Sequence, residues 1–283
     1  MDNYTVLLAT LNEERRIEFV LRNFSGRAPV LVLDGGSTDG TLEVAARYNC
    51  RAIRRPHGSN VYLDASARAW MLEQVPTEYV FIAYCSFFVP RGLLRTFGEV
   101  SRQGKYRAVR HDYQSITYGR YIQKPLVRRR AGACHFFARG AIDLGREKIH
   151  SEWPLAVPES QVLTLPATDE LAIHVFRDYD SRSTELKHSG YADIEALERF
   201  GRGERTSAGR MLGRAAREFL SGFVRGGGFR AGVPGLLYHA WRAEMAFNIQ
   251  ARIWEHQNGM RRDETSLLHA KMRDRLLREI EGR

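Results

Sequence analysis

A carboxylate at Asp34 is followed at once by Gly35-Gly36 and then by Ser37-Thr38-Asp39-Gly40-Thr41. The four residues before it, Val30 to Leu33, are all apolar and fit a strand buried on both faces. An acid at the carboxyl end of such a strand lies where open α/β sheets bind their ligands. Two glycines permit a tight turn and close approach of a bound group. Ser37, Thr38 and Asp39 can cap a following helix, and its first amides favour an anion. A second polar cluster, Thr10-Leu11-Asn12-Glu13-Glu14, again follows an apolar run that starts at Tyr4. Both clusters fit the binding of a small anionic ligand of the nucleotide class.

The elements that must hold these residues follow from hydrophobic spacing. Tyr4 to Thr10 reads as a strand, and Ile17, Val20, Leu21 and Phe24 recur at helical spacing after it. The chain thus opens β-loop-α-β-loop-α, the start of a doubly wound sheet. Arg51 to Arg55 reads as a short third strand ending at Pro56, Asn60 to Gln74 as a helix, and Glu78 to Ala83 as a fourth strand. Further strands are expected near 107–112, 134–138, 161–165 and 171–175. Residues 183–283 read as mainly helical, with glycine-bearing breaks at 201–209 and 225–235. The expected organisation is an α/β domain over 1–180, with a nucleotide-binding half at 1–100 and an acceptor half at 101–180. A helical C-terminal extension covers 181–283.

The Thr10–Glu14 segment and the Asp34–Thr41 loop together resemble the opening of inverting family 2 glycosyltransferases of the GT-A fold, a Rossmann-like, mostly parallel sheet flanked by helices. The likeness is nearest to the bacterial subgroup that builds lipopolysaccharide core. Ile149-His150-Ser151-Glu152 is similar to that subgroup's His-Glu region, and Leu171 to His174 to its next strand and histidine. Lys187, Tyr191 and Ala196, then Gly226 to Gly232 with Trp254-Glu255, resemble its later marks by their order. The resemblance implies a nucleotide-sugar donor, a UDP-sugar, and a lipid-linked or core-oligosaccharide acceptor. It implies donor contacts at Thr10, Asn12, Glu13, Asp34 and Gly35, with Asp34 accepting from uracil or ribose. A turn-forming Asp before Gly-Gly is the other reading of Asp34, and Asp39 reads as a helix-start and loop-closing residue. The general base would be Glu152, beside Trp153-Pro154, an aromatic neighbour suited to sugar stacking; an exposed loop glutamate is the alternative. Asp112, Asp143 and Asp169 are runners-up.

One departure bears on cofactors. The family carries an Asp-x-Asp motif for Mg²⁺ or Mn²⁺ at the end of the fourth strand, whereas this chain has Tyr84-Cys85-Ser86. These hard ions want carboxylate oxygens. No metal ligand is therefore assigned and the cofactor stays open, with Tyr84 and Ser86 read as lining the donor pocket. Either another residue holds an ion, or cations neutralise the leaving diphosphate, or turnover is lost. The cations would be Arg128 within the run Lys124 to Arg130, and the pair Arg54-Arg55; a solvated basic face is the plain alternative. His174 reads as a phosphate contact or a structural histidine.

Lys and Arg outnumber Asp and Glu 43 to 33, a formal charge of +10, so acidic partners are expected. Nucleic acid is the weaker choice, because no helix-turn-helix, zinc or single-strand-binding signature occurs. Cys50, Cys85 and Cys134 show no metal or redox spacing and read as reduced thiols. The chain opens directly in a strand, so no signal peptide is expected, and no run reaches the ~20 apolar residues of a membrane span. A cytoplasmic protein, peripheral on the inner face of the membrane, is the expectation. Phe219, Phe223, Phe229, Leu236, Leu237, Tyr238, Trp241 and Phe247 alternate with Arg214, Arg217, Arg225, Arg230 and Arg242. That stripe suits an anionic bilayer or a face packed on the body. A last helix, Ser266 to Ile280, has one apolar side for the body or a second subunit.

Overall fold

The computed structural model describes residues 3–56, 65–122, 132–144, 153–176 and 181–281; the side chains of 65, 181, 183, 186 and 187, inside helices, are left undescribed. In chain order the elements are β1 (Tyr4–Thr10), α1 (Glu14–Phe24), β2 (Val30–Asp34), α2 (Thr41–Arg47), β3 (Arg51–Arg54) and α3 (Ala65–Glu73). Then come β4 (Tyr79–Ala83), β5 (Phe87–Phe88), α4 (Arg91–Gln103), β6 (Ala108–Thr117), β7 (Arg120–Ile122) and β8 (Ala133–Ala138). β9 (Val162–Thr164), β10 (Ala172–Phe176), α5 (Ser181–Gly201), α6 (Ala208–Phe219), α7 (Val233–Asn258) and α8 (Arg262–Glu281) complete the chain. The class is the expected one: α/β, a mostly parallel sheet flanked by helices, with a helical C-terminal segment.

The chain forms two compact units, Met1–Tyr121 with Arg128–Arg177, and Ile122–Val127 with Asp178–Arg283. In the first, the strands run in the order β3-β2-β1-β4-β8-β6-β10-β5, with β7 and β9 also on β6. β3, β2, β1 and β4 are parallel to one another, whereas β8 runs antiparallel to both β4 and β6. Strand order reverses between β1 and β4, so their carboxyl ends form the crevice of a doubly wound sheet. β1 and β4 are buried on both faces, as a central parallel strand must be. α1 lays Ile17, Val20, Leu21 and Phe24 on the core, four residues at i, i+3, i+4 and i+7. Beneath α4, Phe97 stacks on Phe136 at 4.4 Å between ring centroids, and Tyr79 stacks on the same ring at 5.5 Å. Such offset pairs add to area burial.

The second unit is helical, and its core sets small residues against isoleucines. Ala192 and Ala196 of α5 meet Ile249 and Ile253 of α7. A π-helical turn, Leu220–Arg225, extends α6. His239 lies in a slot that only glycine allows. A Cβ on Gly222 would fall 2.1 Å from its Nδ1, and one on Gly228 would fall 2.3 Å from its Cδ2. The aromatic stripe is divided between packing and exposure: Phe219 stacks on Phe223 at 5.1 Å, while Leu236 and Phe229 stay open to solvent. The apolar side of α8 is exposed at Leu267, Met272, Leu276 and Ile280. No helix among the described residues is long and apolar enough to cross a membrane.

Candidate functional site

Thr10 and Asp34 end adjacent parallel strands in register. Asp34 is buried, and its carboxylate is used by its own loop. Oδ2 accepts from the backbone N–H of Gly36 at 2.8 Å and of Ser37 at 2.9 Å. Oδ1 accepts from the Ser37 hydroxyl at 2.5 Å and from Thr10 Oγ1 at a long 3.4 Å. Burial alone would push the Asp34 carboxyl up, but these donors outweigh it and hold the group below the ordinary carboxylate value. Four donors match the roughly four lone-pair sites of a carboxylate. The turn-forming reading of Asp34 is therefore physically present, and only the weak Thr10 contact leaves room for a ligand's hydroxyl.

The two polar clusters of the sequence meet each other. Asn12 takes a left-handed φ of 55°, which Asn tolerates better than most residues. Its N–H donates to Ser37 Oγ at 2.9 Å, and its Oδ1 accepts from Thr38 N at 2.9 Å. The Glu13 N–H donates to Thr41 Oγ1 at 2.7 Å, while the Glu13 carboxylate pairs with Arg16. Asp39 accepts from Glu14 N and Thr41 N, both at 3.1 Å, so it joins the starts of α1 and α2. Gly40 N donates to Glu14 Oε2 at 3.2 Å. This corrects two expectations. Ser37 and Thr38 do not cap α2; Asn12 and Asp34 engage them instead. Nor do the first amides of α2 form a free anion site, because the helix has seven residues and its first N–H already serves Asp39.

Cations stand where the glycines leave space. A Cβ on Gly35 would fall 2.2 Å from Arg55 Nη2, and one on Gly36, whose φ is 99°, would fall 3.3 Å from Arg54 Nη2. Both guanidiniums thus lie over the Gly-Gly turn. Half-burial lowers the Arg55 pKa from its usual value, and the Asp34 charge opposes that. On the other side of β1, the β4 strand runs out into Tyr84, Cys85 and Ser86. Cys85 is buried, and its thiol is pushed far above the ordinary range, first by burial and then by the Glu13 carboxylate, with Arg16 opposing. Ser86 is half-buried and its carbonyl accepts from Phe176 N at 2.8 Å. Tyr84 is half-buried and packs edge-on against Phe87 at 5.1 Å. A phenol, a protonated thiol and a hydroxyl do not fit Mg²⁺ or Mn²⁺. Among the described residues no group of three His, Cys, Asp or Glu side chains fits a metal ion.

Glu152 and Arg128 lie outside the described residues, as do His150 and the run Lys124 to Arg130. Trp153, next to Glu152, is buried, packs on Phe137 at 5.3 Å and carries the Arg68 guanidinium 4.7 Å from its ring centroid. Of the three runners-up, Asp112 accepts from its neighbour Tyr113 N at 2.8 Å and Asp169 from Gln114 Nε2 at 2.6 Å, while Asp143 donates its backbone N–H to the Pro154 carbonyl at 2.9 Å. His174 is a structural histidine: Nδ1 bonds Tyr121 Oη at 2.9 Å and Nε2 bonds the Asp169 carbonyl at 3.1 Å.

Sequence reasoning missed a buried polar cluster beside Tyr84. Pairing of β6 with β8 passes from Val109↔Phe136 to Arg110↔Cys134, which leaves His135 as the extra residue of a bulge. Bulges re-aim side chains and recur near active sites. The His135 ring lies 6.0 Å from that of Tyr84 and 5.5 Å from that of His111, with Tyr113 Oη 3.0 Å from its ring nitrogens. Burial depresses both histidines, His111 to about 4 and His135 well below its usual value. A histidine inside the apolar run Ala133 to Phe137 was the available signal.

No protein-family model matches the chain, and no curated protein matches it. Among solved structures it overlaps a mycobacterial protein of unspecified role at 22% identity, over 40% of this chain and 41% of the other, with a TM-score of 0.34. Glucosyl-3-phosphoglycerate synthase from Mycobacterium tuberculosis, in complex with Mn²⁺, UDP and glucosyl-3-phosphoglycerate, overlaps at 24% identity over 39% and 44%, TM-score 0.33. The same enzyme with Mn²⁺, UDP-glucose and phosphoglyceric acid overlaps at 25% over 39% and 43%, TM-score 0.33. The overlap spans less than half of each of these chains. Likenesses of this extent carry no argument about the chemistry of this chain.

Proposed function

We propose that this chain is an inverting GT-A glycosyltransferase. It moves a sugar from a UDP-sugar to a lipid-linked or core-oligosaccharide acceptor in bacterial surface-glycan assembly, working at the inner face of the cytoplasmic membrane. Residues 1–180 would be the transferase domain and 181–283 its helical extension. The supporting observation is convergence at the carboxyl ends of β2, β1 and β4. Asp34 with Gly35, Thr10 with Asn12 and Glu13, and Tyr84 with Ser86 end three neighbouring parallel strands, where ligands of open sheets bind. Glu152 would take the proton of the acceptor hydroxyl as that oxygen attacks the anomeric carbon, opposite the departing diphosphate. Charge on the leaving group would fall to Arg54, Arg55 and Arg128. Tyr84 and Ser86 would shape the donor pocket.

A specific observation favours a second reading. Among the described residues the donors to Asp34 come from its own loop or from Thr10, and β4 ends without a carboxylate. A non-catalytic nucleotide-sugar or glycan-binding relative would look the same. Calorimetric titration with UDP and with GDP, in Mn²⁺ and then in EDTA, tests both. UDP binding that survives EDTA supports a cation-built donor site. Binding that needs Mn²⁺ means a ligand set outside Tyr84-Cys85-Ser86. No binding of either nucleotide sinks the glycosyltransferase reading. Transfer or donor hydrolysis, assayed beside it, separates the enzyme from the binding relative.

A further inference from the structure

The helical unit contains a cavity of about 710 Å³ between α5, α6 and α7, within the size range of small-ligand sites. Five guanidiniums line it: Arg199 from α5, Arg210, Arg214 and Arg217 from α6, and Arg242 from α7. Among the described residues two carboxylates, Glu195 and Glu218, share the lining. The α6 arginines stand at i, i+4 and i+7, one face of a helix, where like charges repel. Local acids hold part of this charge. Arg199 pairs with Glu195, Arg242 with Glu218, and Arg214 with Glu204 at 3.1 Å. Arg210 donates to the Arg205 carbonyl. The Arg217 guanidinium has neither hydrogen bond nor ion pair among the described residues.

The small residues of the lining give an independent sign. Gly209, Gly213 and Ala246 are among them. A Cβ on Gly209 or Gly213 would meet nothing within 4 Å, so no neighbour requires glycine there. Glycine inside a helix costs roughly 1 kcal/mol relative to alanine. What those glycines secure is open space among the arginines.

We propose that this groove binds a phosphate-bearing anion, with Arg214 and Arg217 as its central ligands. Guanidinium forks match phosphate oxygens two at a time, and a multiply charged phosphate relieves the repulsion along α6. The chemistry is shared by a soluble diphosphate and by a lipid phosphate headgroup. The lining residues among those described all belong to the second unit.

Inorganic pyrophosphate is titrated by calorimetry into the full chain at moderate salt, with UDP titrated separately. Two variants are compared, the double change Arg214→Ala/Arg217→Ala and the single change Gly213→Glu, which puts a carboxylate into the lining at a position free of clashes. Each should weaken pyrophosphate about tenfold or more, as expected when charge-assisted bonds are lost, and leave UDP behaviour as in the wild type. Helical circular dichroism must be retained, and Gly213→Glu should raise it. Sedimentation with phosphatidylglycerol or phosphatidylcholine vesicles then separates the sources. Retention on the anionic vesicles alone, lost in both variants, identifies a lipid headgroup; no retention identifies a soluble phosphate. Pyrophosphate binding unchanged in both variants, or a wild type that neither binds pyrophosphate nor is retained on vesicles, overturns the proposal. Failure of UDP to bind anywhere would bear on the proposed function and not on this groove.

Discussion

His111 makes stability depend on pH in a way that can be worked from its surroundings. Its Nδ1 lies 3.2 Å from the Asp112 carbonyl, which only accepts, so the proton sits on Nδ1. Nε2 is buried with no partner among the described residues. Protonating Nε2 would bury a charge among Phe97, Tyr113 and His135. Burial therefore depresses His111 to about 4, against the opposing pull of Asp112. In the unfolded chain the same ring titrates near 6.5. Between these values the unfolded chain holds a proton that the folded chain lacks, so stability is full above about pH 6.5 and drains away as pH falls toward 4. At about 1.4 kcal/mol per pH unit, His111 alone accounts for about 3 kcal/mol over that window. His135 is depressed in the same direction and steepens the slope. Urea unfolding followed by tryptophan fluorescence at pH 7, 6 and 5 measures it. Carboxylates titrate in the same range, so the informative quantity is wild type minus His111→Phe. That difference should shrink by about 2 kcal/mol between pH 6.5 and 5. A difference that stays flat with pH, or a His111 ring resonance titrating above pH 6 in the folded protein, would refute the reasoning.

Three further outcomes follow from the site. Gly35→Ala drives a methyl against Arg55 Nη2 and, at 3.2 Å, the Thr10 carbonyl. The guanidinium must swing away, so UDP affinity by calorimetry should fall about tenfold while urea stability changes by less than about 1 kcal/mol, since the displaced atom is the end of a flexible chain. Asp39→Ala frees the N–H groups of Glu14 and Thr41; thermal unfolding should report a loss of about 1 kcal/mol, the usual cost of a lost helix-start acceptor. Cys85 and Cys134 are buried whereas Cys50 is half-exposed. A thiol reagent at pH 8 should label Cys50 first and reach Cys85 only after unfolding, as peptide mapping will show; rapid native labelling of Cys85 would contradict its burial.

The parts legible in the sequence were those with strong local pattern. β1 and β2 run Tyr4–Thr10 and Val30–Asp34, as their apolar runs predict, and α1 buries the four residues its spacing selects. The middle of the chain was less legible because its strands are half-polar. β6 extends to Thr117, well past the 112 expected, through Tyr113, Gln114 and Ser115, all only half-buried. Its long course depends on partners β8, β9 and β10, which come from later in the chain. The helix expected from Asn60 is described only from Ala65. The same logic governs the site. Asn12, Ser37, Thr38 and Asp39 were recognisable as polar loop residues, but their mutual hydrogen bonds span about 25 positions of chain and have no local signature.

The loop chemistry also bears on whether the missing carboxylates matter. On the proposed reading, a divalent ion held by two acids would bring a local charge of zero before the diphosphate arrives. Tyr84-Cys85-Ser86 is also neutral, since burial keeps the Cys85 thiol protonated. Loss of the motif therefore does not by itself remove positive charge. What then decides diphosphate affinity is the fixed cations nearby, and these are unequal. Arg54 is exposed and its field is screened within a Debye length of ~10 Å or less. Arg55 is half-buried and stands against the Asp34 carboxylate. A phosphate arriving over Gly35 competes with Asp34 for that guanidinium. The more completely the loop amides and the Ser37 hydroxyl satisfy Asp34, the more of Arg55 is left for the ligand. The bonds that argue against Asp34 as a direct ligand are thus the ones that prepare Arg55 to be one.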